Sequence, residues 1–312
     1  MIVPRESGIL ATDDGQRIYW ETHGNPVGKS AVVLHGGPGS GAGTGWTTYF
    51  DLERYNVLLF DQRGCGRSTP SAGDPQTDLR LNTTDHLIRD IGALRALCGA
   101  EEWLVLGGSW GTTLALAYAQ AHPDRVSELV LFSVTTTTND EVDWVTRQMG
   151  RVFPEQWERL MALVPAVRDA GDIPAAYAEL LADPDVRIRG EAARRWCEWE
   201  DTHISLAPGH RPDPRYRDPE FRATFARLVT HYWSHAAWRA DDELLAGVES
   251  LSNVPTVLVH GRYDISSPAA VPYRLHARWP GSELHLVDAG HGAGLGDPVT
   301  AAISRFAARK ND

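Results

Sequence analysis

Four short apolar runs in this chain each end in a polar, glycine-containing loop. Ala31 to Leu34 runs into His35-Gly36-Gly37-Pro38-Gly39, and Asn56 to Phe60 into Asp61-Gln62-Arg63-Gly64-Cys65-Gly66-Arg67-Ser68. Trp103 to Leu106 runs into Gly107-Gly108-Ser109-Trp110-Gly111, and Thr256 to His260 into Gly261-Arg262-Tyr263-Asp264. Runs of this length are too short for helices and suit strands buried on both faces. Between them lie stretches with helical spacing: Thr83 to Leu97, with Asn82 or Thr83 as cap, and Thr112 to Gln120. Alternating strands and helices predict an α/β fold, a mostly parallel sheet with helices on both faces. Arg17 to His23, Glu128 to Val134 and Glu283 to Val287 read as further strands. Ala269 to Trp279 and Pro298 to about Arg309 read as the closing helices.

The pattern breaks once. From Thr135 to about Gly247 the chain is rich in tryptophan, arginine, alanine and proline and has no convincing buried strand, which predicts a helical cap inserted into the sheet domain. The core would then comprise 1–134 and 248–312 and the cap 135–247. In open α/β sheets ligands bind outside the carboxyl ends of the strands, so the cap is expected over those ends.

Composition excludes several classes. A formal net charge of -11 repels phosphate backbones, and no basic run overrides it, so nucleic acid is not an expected partner. No apolar run reaches the roughly 18 to 20 residues of a membrane helix, and Met1 to Asp14 is charged where a signal peptide would be apolar. The expectation is a cytoplasmic protein without a membrane partner. Three cysteines, Cys65, Cys98 and Cys197, without C-x-x-C spacing, point to neither a disulfide framework nor a thiolate metal site. His231 and His235 are four apart but lack a third ligand, so packing is expected of them. No metal and no cofactor is expected, and the oligomeric state is not legible.

The strand ends carry the chemistry. In Gly107-Gly108-Ser109-Trp110-Gly111 a serine sits on a sharp turn between strand and helix, where its hydroxyl stands clear of the sheet. A serine needs a base, most often an imidazole oriented by a carboxylate. His291, in a Gly-His-Gly turn after the last strand, and Asp264, past the end of the preceding one, supply both. Ser109, Asp264 and His291 follow the chain order expected for such an enzyme. Backbone N–H groups of Trp110 and Gly37 are the expected oxyanion donors. His35 is expected to orient its own loop, and Asp61 to Ser68 to tie loops together through its arginines.

Taken together, the loops at 35–39, 61–68, 107–111 and 261–264 resemble those of the proline iminopeptidases (prolyl aminopeptidases), serine peptidases of the α/β-hydrolase fold. The resemblance spans nearly the whole chain. It implies a serine aminopeptidase, with Ser109, Asp264 and His291 as its triad and no metal, that releases an N-terminal residue from a small peptide or aminoacyl amide with a free amino terminus. Trp196, Trp199 and Glu200 share a helical face and match the family's Trp-x-x-Trp-Glu segment, whose glutamate holds the substrate's amino group. Two indoles beside a carboxylate suit a protonated amine.

Other positions depart from the family. Val229 stands where a second amine-binding glutamate is usual. Leu131-Phe132-Ser133-Val134-Thr135 replaces Leu-Arg-Gly-Ile-Phe, Val145 replaces an aromatic residue and Ser267 a frequent cysteine. The departures gather in the proline pocket and amine clamp. They predict retained catalysis, with specificity moved from proline to a small aminoacyl group on a large or apolar amine. Two other readings remain open on these residues: an esterase or thioesterase acting on a small-molecule acyl group, and a non-catalytic ligand-binding protein on the same scaffold.

Overall fold

The computed structural model describes residues 3–204, 206, 210–292 and 294–308. In chain order the strands are β1 (Glu6–Ala11), β2 (Arg17–Gly24), β3 (Lys29–Leu34), β4 (Tyr55–Phe60), β5 (Trp103–Gly108), β6 (Val126–Phe132), β7 (Thr256–Gly261) and β8 (Ser282–Val287). The helices are α1 (Thr84–Leu97), α2 (Trp110–Ala121), α3 (Asn139–Thr146), α4 (Pro154–Met161), α5 (Ile173–Leu181), α6 (Val186–His203), α7 (Pro219–Trp233), α8 (Glu243–Gly247), α9 (Ala270–Arg278) and α10 (Gly296–Ala307).

One eight-stranded sheet has the order β1-β2-β4-β3-β5-β6-β7-β8. From β4 to β8 every pairing is parallel, and β1 and β2 join antiparallel at one edge. Because successive side chains point to opposite faces, Val32 and Leu34 pack with α1, α2 and α9, whereas Ala31 and Val33 pack with α10. Both faces are thus covered, and all six residues of β5 are buried. This is why the interior runs read as continuous apolar stretches instead of alternating ones. Thr83 caps α1 by accepting the His86 N–H. The last helix ends at Ala307, and Arg309 lies outside the described residues.

One element was not expected. β1 pairs with β2 from Glu6↔Thr22 to Ala11↔Arg17 and shows an exposed, weakly apolar face to solvent. An edge strand needs little apolar surface, so hydrophobic periodicity gives no signal for it.

Between β6 and β7 the chain is helical, α3 to α8. Residues from Val145 to Val229 build a separate apolar cluster around Tyr177, Trp196 and Trp199. Leu244, Val248 and Leu251 pack instead with α2 in the core beside the sheet. Arg227 on α7 donates to the carbonyls of Ala72, Asp74 and Thr77, which ties the inserted helices to a loop of the sheet domain. Among the described residues no helix is long and apolar enough to cross a membrane.

Candidate active site

Ser109 sits at the end of β5 and caps α2 with φ 55 and ψ -127, a left-handed backbone uncommon for a non-glycine residue. Two glycines permit that turn. A Cβ on Gly111 would fall 1.9 Å from the Leu34 carbonyl oxygen, and one on Gly107 would fall 2.5 Å from that of Gly111. No larger residue fits either place without moving a strand.

Tertiary structure brings Ser109, His291 and Asp264 into one line. His291 Nε2 lies 3.1 Å from Ser109 Oγ, and His291 Nδ1 lies 2.8 Å from Asp264 Oδ2. Asp264 also accepts the Ser267 N–H at 3.1 Å. Burial alone would raise its pKa, but the facing His291, His260 and the Ser267 N–H hold it below the ordinary carboxylate range. For His291, burial alone would lower the pKa. The hydrogen-bonded Asp264 and the charge of Glu200 outweigh burial and raise it above the ordinary 6.5. The line can therefore move a proton from the serine hydroxyl to an imidazole whose protonated form is stabilised.

A cavity of about 600 Å³ opens over Ser109, large enough for an aminoacyl group and its leaving group. Gly37 and Trp110 both line it, and neither backbone N–H has a partner among the described residues. The loop carrying Gly37 is held rigidly. His35 Nδ1 donates to the Gly36 carbonyl at 2.9 Å, and its Nε2 accepts the Gln62 N–H at 3.1 Å. Burial keeps this imidazole in the neutral form that such bonding needs. Gln62 then accepts the Trp110 indole N–H at 2.9 Å, so one residue of the Asp61 to Ser68 loop joins both candidate oxyanion donors. The arginines of that loop tie it down: Arg63 to Asp90 and Asp14, Arg67 to Asp61 and Glu21.

Glu200, on α6, faces the same cavity and is buried. Trp196 Nε1 donates to its Oε1 at 3.0 Å, and His203 Nε2 stands 3.1 Å from its Oε2. The expectation of two indoles in the site is corrected here. Trp199 turns away and donates to the Val145 carbonyl, and both indoles pack in the cluster of the inserted helices instead of lining the cavity. Helical phase placed the three residues on one face, but depth along each side chain decides which of them reaches the opening. Val229 is buried in that same cluster, while Thr135, Val145 and Ser267 line the cavity.

Several lining residues gave no signal in the sequence. His203 is fixed by Ser266, 2.8 Å from its Nδ1. Glu141 accepts from the hydroxyls of Thr135 and Thr136 and from the N–H groups of Thr136 and Thr137. This holds Thr137 at φ 55. Ser133, at φ 48, accepts the N–H of Gly292, next to His291, at 2.9 Å. His260 lies behind Asp264, accepting the Val134 N–H at 2.9 Å and donating to the Ser267 carbonyl at 2.7 Å. His231 and His235 pack: the first meets the Asn82 carbonyl, and the second stacks on Trp238. The three cysteines are free thiols.

A strand-end serine on a left-handed turn, reached by an imidazole and a buried carboxylate from two later strand ends, is the arrangement of an α/β-hydrolase-fold serine hydrolase. The chain belongs to that family, whose model matches residues 32–298. Within it, the chain belongs to the proline iminopeptidases. It is 48% identical to a probable proline iminopeptidase of Streptomyces coelicolor over 98% of this chain and 96% of the relative. It is 40% identical to a proline iminopeptidase of Xylella fastidiosa over 94% of this chain and 92% of the relative. Among solved structures, a proline iminopeptidase of Mycobacterium smegmatis superposes with a TM-score of 0.66 at 18% identity, covering 97% of each chain, a likeness of fold.

Proposed function

We propose that the protein is a cytoplasmic serine aminopeptidase that hydrolyses the amide after an N-terminal residue of a small peptide or aminoacyl amide. Ser109 attacks the carbonyl carbon while His291 Nε2 takes its proton. The oxyanion that forms is held by the N–H groups of Gly37 and Trp110. His291 returns the proton to the leaving nitrogen, the C–N bond breaks, and an ester to Ser109 remains. Water, deprotonated by His291, then hydrolyses the ester and regenerates the serine. Asp264 keeps the imidazole in the productive tautomer throughout and stabilises its protonated form. The reaction as written takes all its proton transfers from these residues and needs no metal or cofactor.

The observation that carries this reading is Glu200. A buried carboxylate in the same cavity as a serine–histidine line can hold an α-ammonium at a fixed distance from the attacked carbonyl, which selects exopeptidase cleavage. A cap at 135–247 inserted into a core of 1–134 and 248–312 would present Glu200; the separate apolar cluster from Val145 to Val229 supports it, while Leu244 near its end packs with the core. Thr135 and Val145 line the cavity, and Val229 is buried in the cluster of the inserted helices and is not among its lining residues. These residues support a small aminoacyl group in place of a dedicated proline pocket, joined to a large or apolar amine. The test is kcat/KM on prolyl, alanyl and glycyl amides against N-acetylated esters of the same residues. Free-amine amides turned over, without a strong prolyl preference, support the reading. Indifference to the free amine favours an esterase, and a strong prolyl preference overturns the shift in specificity.

A further inference from the structure

The cavity is also lined by three aromatic side chains to which neither the triad nor Glu200 gives a role. They are Trp46, Tyr49 and Phe132, with ring centroids 5.5 Å apart for Trp46–Phe132, 5.7 Å for Tyr49–Phe132 and 6.0 Å for Trp46–Tyr49. All three pairs are tilted, so the rings form a clustered aromatic wall instead of a flat stack. Phe132 pairs in register with Gly108, and a Cβ on Gly108 would fall 2.5 Å from its Cζ, so this ring lies against the residue preceding Ser109. Neither the Trp46 indole N–H nor the Tyr49 hydroxyl has a hydrogen-bond partner among the described residues.

We infer that this aromatic wall is the leaving-group subsite, and that it takes an uncharged amine bearing an aromatic side chain or ring. The inference rests on the aminopeptidase reading above, which places the α-ammonium at Glu200. With the acyl group so oriented, the amine must leave on the side from which His291 protonates it. The wall is attached on that side. Ser133, next to Phe132, is bonded to Gly292, and the Tyr49 ring approaches Gly296 five residues beyond His291. Glu200 reaches the cavity from a different element, α6 of the inserted helices.

Charge decides what kind of amine fits. The lining includes the carboxylates Glu141, Glu200 and Asp213. Its two basic groups besides His291 already face carboxylates: Arg215 lies 2.7 Å from Asp213, and His203 lies 3.1 Å from Glu200. A leaving amino acid with a free carboxylate would bring a negative charge to a cavity in which, among the described residues, each lining cation already lies beside a carboxylate. An arylamine, or an aromatic residue whose own carboxyl is an amide, brings only a ring to three rings.

The experiment holds the acyl residue constant and varies the leaving group. Alanyl-phenylalaninamide, alanyl-alaninamide and alanyl-phenylalanine with a free carboxylate pass through the same acyl-enzyme, so ratios of their kcat/KM read the leaving-group subsite alone. The wild type is expected to favour phenylalaninamide over alaninamide by roughly tenfold or more, and over the free acid by a similar factor. Trp46→Ala and Phe132→Leu should each bring the first ratio down to about two, with labelling of Ser109 by a fluorophosphonate reporting that each variant is folded. Phe132→Arg should reverse the second preference. Wild-type ratios near one, or ratios kept in both truncations, overturn the subsite. Turnover of N-blocked esters with no turnover of any free-amine substrate overturns the aminopeptidase reading, and this assignment with it.

Discussion

Replacing Glu200 by glutamine tests substrate capture and acid–base catalysis together. The substitution keeps shape, and its carbonyl can still accept the Trp196 indole N–H now 3.0 Å away, so the fold should be little affected. What is lost is a buried negative charge. A hydrogen bond to a charged partner contributes about 1.5–3 kcal/mol, which corresponds to a loss of roughly 10- to 150-fold in kcat/KM for free-amine substrates. N-acetylated esters, which have no ammonium, should lose far less. A second effect is independent of the substrate's amine. The Glu200 charge helps raise the His291 pKa above 6.5. The general base must be neutral, so activity rises as pH increases through that raised value. Removing the charge should move the acid limb to lower pH, for amides and esters alike. Free-amine substrates should also show a basic limb as their α-ammonium, with a pKa of about 7.7–8.0, deprotonates; N-blocked esters should lack it. The assay is the pH profile of kcat/KM for an alanyl amide and its N-acetyl ester, in wild type and Glu200→Gln. Equal losses on both substrates would refute the amine-binding role, and an unmoved acid limb would refute the coupling of Glu200 to His291.

Other residues give sharp expectations. Ser109→Ala should abolish acylation while calorimetry still detects binding of a free-amine product analogue; undiminished turnover would remove Ser109 from the mechanism. Asp264→Asn should lower kcat by about 10³–10⁴-fold and move the acid limb down, because the hydrogen-bonded carboxylate that raises the His291 pKa is gone. Ser133→Gly relieves a residue held at φ 48 but deletes the acceptor of the Gly292 N–H, so thermal stability should hold or rise while kcat falls; a stable variant with full kcat would separate Ser133 from the histidine loop. Arg63→Met leaves the buried Asp90 without its partner and should cost about 3–5 kcal/mol in denaturant unfolding. A cost below 1 kcal/mol would show that the pair contributes little.

The legible part of this protein is the part in which local pattern and global position coincide. The interior strands of the parallel sheet are buried on both faces, so their apolar runs stand out, and Ser109, Asp264 and His291, which the structure brings together, lie just past the ends of strands. The glycines at 107 and 111 are visible for the same reason: two carbonyls leave no room for a side chain. β1 was invisible because an exposed edge strand obeys no burial pattern. Helical spacing puts Trp196 and Trp199 on the face of Glu200 but says nothing of reach, and neither indole lines the cavity. The aromatic wall of Trp46, Tyr49 and Phe132 lay beyond sequence reasoning altogether. It joins a short loop helix to the end of a strand some eighty residues later, and nothing local to either segment announces the other.

Trapping the acyl-enzyme tests the central claim most directly. The protein would be mixed with an alanyl 4-nitrophenyl ester, quenched in acid within the first turnover, digested and examined by mass spectrometry. The account predicts an alanyl adduct on Ser109, absent from Ser109→Ala and accumulating less in Glu200→Gln. An adduct on another residue, or turnover with no adduct at any time, would contradict it.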